Sequence, residues 1–266
     1  MNISVSNLGW NKSENTKVLN FLSSKKVKNI EFALNKLLEN HKTKKKSKIL
    51  NYYKKKNINL SSAQSLLYGY KDSFIFGSKK QRYNFTKNIQ TNLKKIKFFN
   101  TKAVVFGSPQ NKKIFKKNKK ILDKIAYNEF KKIASISKKL KIVFCLEANP
   151  IIYNCDYIKK TSEALKLVKK INSEYFKLNI DTGTIIANNE SIKFINKNNL
   201  KYIGHVQVSV PYLKSIFTNQ SYLKKITLIL RMLKKLEYKN NISLETLNIG
   251  LSELKKNVHF ILRSIK

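Results

Sequence analysis

The sequence predicts an α/β fold, a single (β/α)8 TIM barrel that spans residues 1–266 as one domain. Eight short runs rich in apolar and β-branched residues alternate with lysine-rich helical segments from end to end. The length of 266 residues is typical of such a barrel. A doubly wound open sheet usually begins with a glycine-rich turn after its first strand, and SNLGWNKSEN contains none.

Period-two patterns place the strands at residues 2–7, 28–33, 58–64, 102–107, 141–148, 175–181, 202–209 and 241–246. The intervening segments carry apolar residues at three- and four-residue spacing, which is typical of an amphipathic helix. In residues 114–140 the predicted apolar stripe is Ile114, Ile121, Ile125, Phe130 and Ile133. In residues 157–171 the inward residues are Leu165, Leu167, Val168 and Ile171.

Charge is the most unusual feature of the composition, with 55 Lys+Arg against 15 Asp+Glu and a formal net charge of +40. A field of this size would attract nucleic acid or an anionic membrane. However, the arginines are only Arg82, Arg231 and Arg263, and the lysines are spread along the chain. Arginine is the residue that clamps phosphates and reads bases, so the composition favours drift toward lysine over a nucleic-acid partner.

Other features indicate a cytoplasmic protein without a membrane segment. We find no signal peptide in MNISVSNLGW and no apolar run long enough to span a bilayer. The two cysteines, Cys145 and Cys155, do not predict a disulfide framework.

Acidic residues collect at the ends of predicted strands. Glu147 ends strand five, Asp181 ends strand six and Glu245 lies on strand eight. A buried carboxylate needs a basic partner, a hydrogen-bond network or a metal ion. Each acid alone is explained by pairing with a lysine, but three at matching strand ends favour a shared site at the mouth of the barrel.

Further polar residues lie on the predicted strands. His205 and Gln207 share one face of strand seven, and Glu31 and Gln64 lie near the ends of strands two and three. Glu31 fits a substrate role and a backbone-bonding role equally well. The other two histidines, His41 and His259, are predicted to be surface or packing residues.

Several motifs together resemble the xylose isomerase-like barrels, and more narrowly the bacterial sugar phosphate isomerase/epimerase proteins. The motifs are LSSAQSLLYG, VVFGSP, LEANP, LNIDTGT, HVQVSVPYL and ISLET, in the order of that family. They extend over nearly the whole chain. The resemblance implies a TIM barrel whose ketose epimerase branch binds one divalent cation, often manganese, magnesium or cobalt.

Carried over by motif, the implied cation ligands are Glu147 in LEANP, Asp181 in IDTG and Glu245 in SLET. The fourth ligand in the family is the second histidine of His-x-His, and Gln207 of HVQV stands in its place. A glutamine oxygen is a weaker, neutral ligand that suits hard cations. Thr184 of DTGT also replaces a histidine that many epimerases use for substrate.

The activity implied by the resemblance is proton transfer at a carbon next to a carbonyl, with Glu147 and Glu245 as the catalytic pair. The predicted substrate contacts are His205, Glu31, Gln64, Asn149 and Lys214, where Lys214 would neutralise an anionic group on a sugar or sugar phosphate. A homo-oligomer is compatible with this interpretation.

Two other interpretations remain open. A barrel that has lost the metal and only binds a sugar or anionic ligand would explain Gln207 and Thr184. A zinc endonuclease acting on abasic DNA would use the positive charge, but its three-zinc cluster needs more histidines than His41, His205 and His259.

Overall fold

Eight parallel strands close into a barrel in the order β1 to β8, with β8 paired to β1. The computed structural model describes residues 1–41, 45–115 and 118–265. The strands are β1 Asn2–Ser6, β2 Asn29–Ala33, β3 Asn59–Gln64, β4 Ala103–Phe106, β5 Val143–Leu146, β6 Phe176–Asp181, β7 Ile203–Val208 and β8 Asn241–Leu244. The predicted (β/α)8 TIM barrel is confirmed, and each strand lies within its predicted range.

Helices follow the strands and surround the barrel. They are α1 Asn15–Ser24, α2 Leu34–Glu39, α3 Lys46–Lys55, α4 Lys79–Lys97, α5 Lys119–Leu140, α6 Thr161–Ile171, α7 Thr182–Ala187, α8 Lys197–Leu200, α9 Gln220–Lys235 and α10 Leu251–Ile265. No helix in the described ranges is long and apolar enough to cross a membrane.

The inward face of α5 is shifted relative to the predicted stripe. Ile121 is 52% exposed, whereas Leu122, Ala126, Phe130 and Ile133 are buried. The prediction for Ile121 was therefore wrong, because it extended the stripe from Ile114, which lies before the helix begins at Lys119. In α6 the prediction for Leu165, Leu167 and Val168 is confirmed, since all three are buried.

The apolar core lies between the strands and the helices. One aromatic group within it consists of Phe85, Phe106, Phe130, Phe144 and Phe176, with the rings of Phe144 and Phe176 stacked at 5.7 Å between centroids. Such rings contribute large buried areas to the free energy of folding.

The interior of the barrel, in contrast, is polar. Its buried side chains include Ser4, Ser6, Glu31, Ser62, Gln64, Asn179, His205, Gln207 and Ser243. Barrel interiors are usually filled with branched apolar residues. Polar groups there need one another as hydrogen-bond partners, and this sets the geometry below the candidate site.

Candidate active site

A cavity of about 1040 Å³ opens at the carboxyl ends of the strands, among the loops that follow them. Of the predicted site residues, it is lined by Gln64, Glu147, Asn149, Asp181 and Glu245. The carboxyl end is where the functional groups of such barrels lie. The structure thus brings the three predicted acids to one cavity.

Glu147 follows β5 and is partly open to this cavity. Its Oε1 accepts a hydrogen bond of 2.7 Å from Asn149 Nδ2, and its Oε2 accepts one of 3.3 Å from Asn179 Nδ2. Burial and the neighbouring Asp181 raise the pKa of Glu147 to about 8, against an opposing effect of Lys112. A carboxyl with this pKa both gives and takes a proton near neutral pH.

Asp181 ends β6 and caps α7, and its carboxylate is bonded almost entirely within the protein. Its Oδ1 accepts from the backbone N–H of Gly183 at 3.3 Å and from the Ser209 hydroxyl. Its Oδ2 accepts from the backbone N–H and the hydroxyl of Thr184, at 2.8 and 2.9 Å. Burial raises the pKa of Asp181, and these hydrogen bonds oppose that shift.

Glu245 follows β8, which lies three strands along the barrel from β5, the strand that Glu147 follows. It is 7% exposed, and its backbone N–H donates to Val208 O at 2.9 Å. Burial, together with the charges of Glu147 and Asp181, raises the pKa of Glu245 well above its usual range. The side chain of Gln64, whose Nε2 donates to the Ser6 hydroxyl at 2.7 Å, opposes the shift.

Below the cavity, β7 and β2 are linked across the barrel. Gln207 Nε2 donates to Glu31 Oε1 at 2.8 Å, and Gln207 Oε1 accepts from Asn179 Nδ2 at 2.6 Å. His205 Nε2 lies 2.8 Å from Glu31 Oε2, and the Ser62 hydroxyl donates to the same oxygen. Glu31, His205 and Gln207 are fully buried.

Three of the predicted substrate contacts do not line the mouth cavity. Glu31 and His205 do not line the mouth cavity; they lie beneath it, with His205 Nε2 2.8 Å from Glu31 Oε2, and His205 borders a depression at the amino end of the barrel. Lys214 is exposed and does not line the mouth cavity either. Of the five predicted substrate contacts, Gln64 and Asn149 are the two that line the mouth cavity.

The four residues implied as cation ligands, Glu147, Asp181, Gln207 and Glu245, do not fit a divalent cation in this arrangement. The two oxygens of Asp181 and both ends of the Gln207 amide are engaged by protein partners. Within residues 1–41, 45–115 and 118–265, no group of three His, Cys, Asp or Glu side chains has an arrangement that holds a metal ion. Glu147, Asp181 and Glu245 share the cavity, but they do not form a coordination sphere with Gln207.

Sequence reasoning missed Lys112, which is fully buried behind Glu147. Its Nζ donates to Asn149 Oδ1 at 2.9 Å and to the backbone O of Glu147 at 3.1 Å. Burial lowers the pKa of Lys112, while Cys155 and Glu147 oppose that shift. No signal in NKKIFKKNKK separates this lysine from its neighbours.

Aromatic side chains around the cavity were also missed. Tyr68, Phe115 and Tyr212 line it and are 75%, 46% and 59% exposed. Exposed aromatic rings beside a polar cavity offer flat surfaces for the apolar face of a sugar.

The family model described as xylose isomerase-like TIM barrel matches residues 28–263. The chain belongs to this family, as the motifs LEANP, IDTG and SLET led us to expect. A search of curated protein sequences finds no match to the chain.

Solved structures share the fold over the full length of the chain. A D-psicose 3-epimerase crystallised in the presence of D-fructose has a TM-score of 0.76 and 14% identity, covering 99% of this chain and 98% of that one. The 3-keto-D-glucoside 4-epimerase YcjR from E. coli has a TM-score of 0.75 and 13% identity, covering 99% and 98%. The IolI protein with a binding zinc atom has a TM-score of 0.76 and 14% identity, covering 100% and 98%. At these identities the likeness shows the fold alone.

Proposed function

We propose that the chain is a sugar isomerase or epimerase that moves a proton at a carbon next to a carbonyl group. One observation carries the proposal: Glu147 and Glu245 line the same cavity from β5 and β8, and both have a raised pKa. A carboxyl group with a pKa near the working pH is suited to general acid–base catalysis. The epimerases of similar fold support this assignment.

In the proposed reaction, the ionised carboxylate of one glutamate removes the proton and an enediolate forms. The protonated carboxyl of the other glutamate returns a proton, at the same carbon on the opposite face for epimerisation or at the neighbouring carbon for isomerisation. The charge of Glu147 raises the pKa of Glu245, and the charge of Asp181 raises the pKa of both, which favours the state with one proton on the pair. Asn149 orients Glu147 by donating to its Oε1, and Gln64 favours the ionised form of Glu245.

The proposed proton transfer does not use the predicted manganese, magnesium or cobalt ion. The family resemblance implies such an ion, and the zinc in a structure of similar fold agrees with that expectation. The engaged oxygens of Asp181 and Gln207 leave it no open ligand set among the described residues of this cavity, so no step is routed through a metal.

The lining of the cavity favours a neutral sugar over a sugar phosphate. Three acids line it, while its two lysines, Lys71 and Lys113, are both exposed at the rim. Three carboxyl groups around the reacting centre would repel a phosphate placed deep in the cavity. A neutral ketose, with one face against the aromatic rim, meets no such repulsion.

Conversion of neutral ketoses by the purified protein, followed by chromatography of the products, tests the proposal. Glu147→Gln and Glu245→Gln each remove one proton carrier and are expected to lower kcat by about 10²-fold or more. Glu39→Gln, at an exposed position of α2, is the matched control and should leave kcat unchanged. Full activity in both active-site variants would contradict the proposal.

A second candidate is a barrel that binds a sugar without converting it. The closed network of Gln207 with Glu31 and Asn179 favours it, because this network occupies the centre of the barrel without involving a substrate. Calorimetric binding of a ketose with no detectable conversion would support this candidate over the isomerase.

A further inference from the structure

Lys112 is a buried basic side chain that the proposed reaction does not use. It ends the short 3-10 turn Pro109–Lys112 after β4 and is fully buried, whereas the adjacent Lys113 is exposed. Burying an ammonium group is costly unless all of its protons are bonded. Lys112 Nζ donates to Asn149 Oδ1 and to the backbone O of Glu147, and the thiol of Cys155 also favours its charged form.

These bonds connect Lys112 to the carboxylate of Glu147. Asn149 accepts from Lys112 with its amide oxygen and donates from its amide nitrogen to Glu147 Oε1 at 2.7 Å. Because an ammonium only donates, it fixes which end of the Asn149 amide faces Glu147. The carboxylate is therefore held by a chain of two hydrogen bonds that begins at Lys112.

Lys112 also places a positive charge beside a group of buried acids. Asp181 and Glu31 disfavour the ionised form of Glu147, and Lys112 favours it. Charges interact strongly in an interior of low dielectric, so this cation offsets part of the effect of the neighbouring acids on Glu147. A divalent ion would serve this purpose, but the donors that it needs are engaged elsewhere.

We propose that Lys112 is a positioning residue of this site and its resident positive charge, in place of a divalent cation. It orients Glu147 through Asn149 and stabilises the ionised carboxylate. Its role in turnover rests on the proposed function, whereas its role as the resident cation does not.

A kinetic comparison tests the role in turnover. Lys112→Met removes the charge at similar volume, and Lys120→Met is the matched control at an exposed position of α5. Lys112 does not line the cavity, so kcat should fall by about 10²-fold with KM nearly unchanged, since only orientation and charge at Glu147 are lost. An unchanged kcat, or a rise in KM alone, would overturn the proposal.

Metal analysis of the wild-type protein tests the other role without any need for turnover or for a folded Lys112 variant. The protein is stripped with EDTA, incubated with Mn²⁺, freed of excess ion by gel filtration and measured by mass spectrometry for manganese. We expect no stoichiometric manganese. An equimolar amount that is lost in Glu245→Gln would overturn the inference, whether or not any ketose is converted.

Discussion

Asp181 shows how a single residue decides what this site can do. Its carboxylate accepts from the Ser209 hydroxyl, which itself accepts from the backbone N–H of Gly183 at 3.1 Å. Thr184, at the position where many epimerases carry a histidine, donates to the other oxygen. Asp181 is thereby fixed as a structural cap of α7.

Ser209→Ala tests this fixation. The substitution removes the hydroxyl that donates to Asp181 Oδ1 and accepts from the Gly183 N–H, and it leaves these two groups only their mutual hydrogen bond of 3.3 Å. The free energy of unfolding should therefore fall by about 1–3 kcal/mol. Ser135→Ala, on the exposed face of α5, should cause no loss. Urea denaturation of the two variants measures the difference, and equal stabilities would contradict the described network.

The pKa of Glu147 predicts the sign of a pH dependence. The folded chain holds the proton up to about pH 8, whereas the ordinary value of 4.5 applies to the unfolded chain. Between these values the folded state binds more protons, so the contribution of Glu147 to stability is full below pH 4.5 and is lost as the pH rises through 8.

Melting temperatures of wild type and Glu147→Gln between pH 5 and pH 9 measure this contribution. The wild type should lose stability relative to Glu147→Gln as the pH rises, because glutamine cannot ionise. Glu39→Gln should retain the wild-type slope. A wild type that gains stability relative to Glu147→Gln over this window would contradict the raised pKa.

At the scale of elements, α5 joins the barrel to the helical layer through Phe130, whose ring packs against Phe85, Phe106, Phe144 and Phe176. Phe130→Ala should lower the free energy of unfolding by about 3–5 kcal/mol, since it leaves a cavity in this group. Ile121→Ala, at a residue that is 52% exposed, should change it by less than about 0.5 kcal/mol. Similar losses in both variants would indicate that Ile121 also packs against the core, as the sequence predicted.

Strand positions were predictable because period-two patterns and the polar residues after them are local features of the sequence. The convergence of Glu147, Asp181 and Glu245 followed from the rule that strand ends meet at one mouth of a barrel.

Other contacts were not predictable from local patterns. Gln207 reaches Glu31 across the barrel, 176 positions apart in the chain, and that contact depends on the relative height of two tilted strands. Lys112 differs from the adjacent, exposed Lys113 only in where the turn after β4 directs its side chain. Tertiary geometry therefore decided which polar residues face the cavity and which satisfy one another below it.

For the whole molecule, the charge of +40 means that the basic side chains outnumber the acidic ones by 40. Such a surface repels itself, and dissolved salt screens the repulsion, with a Debye length of about 10 Å at 0.1 M and about 3 Å at 1 M. The melting temperature should therefore rise with NaCl between these concentrations. A melting temperature that falls with added NaCl would show that attractive ion pairs outweigh the repulsion.

The most direct test of the central claim is the exchange of carbon-bound hydrogen with solvent. The wild-type protein is incubated with D-fructose or D-psicose in D₂O, and the sugar is examined by proton NMR. If one glutamate removes a proton from the sugar and the other returns one, deuterium should appear at the carbon next to the carbonyl. Glu147→Gln and Glu245→Gln should each abolish this incorporation. Conversion of the sugar without any deuterium, or deuterium incorporation that survives in both variants, would contradict the claim.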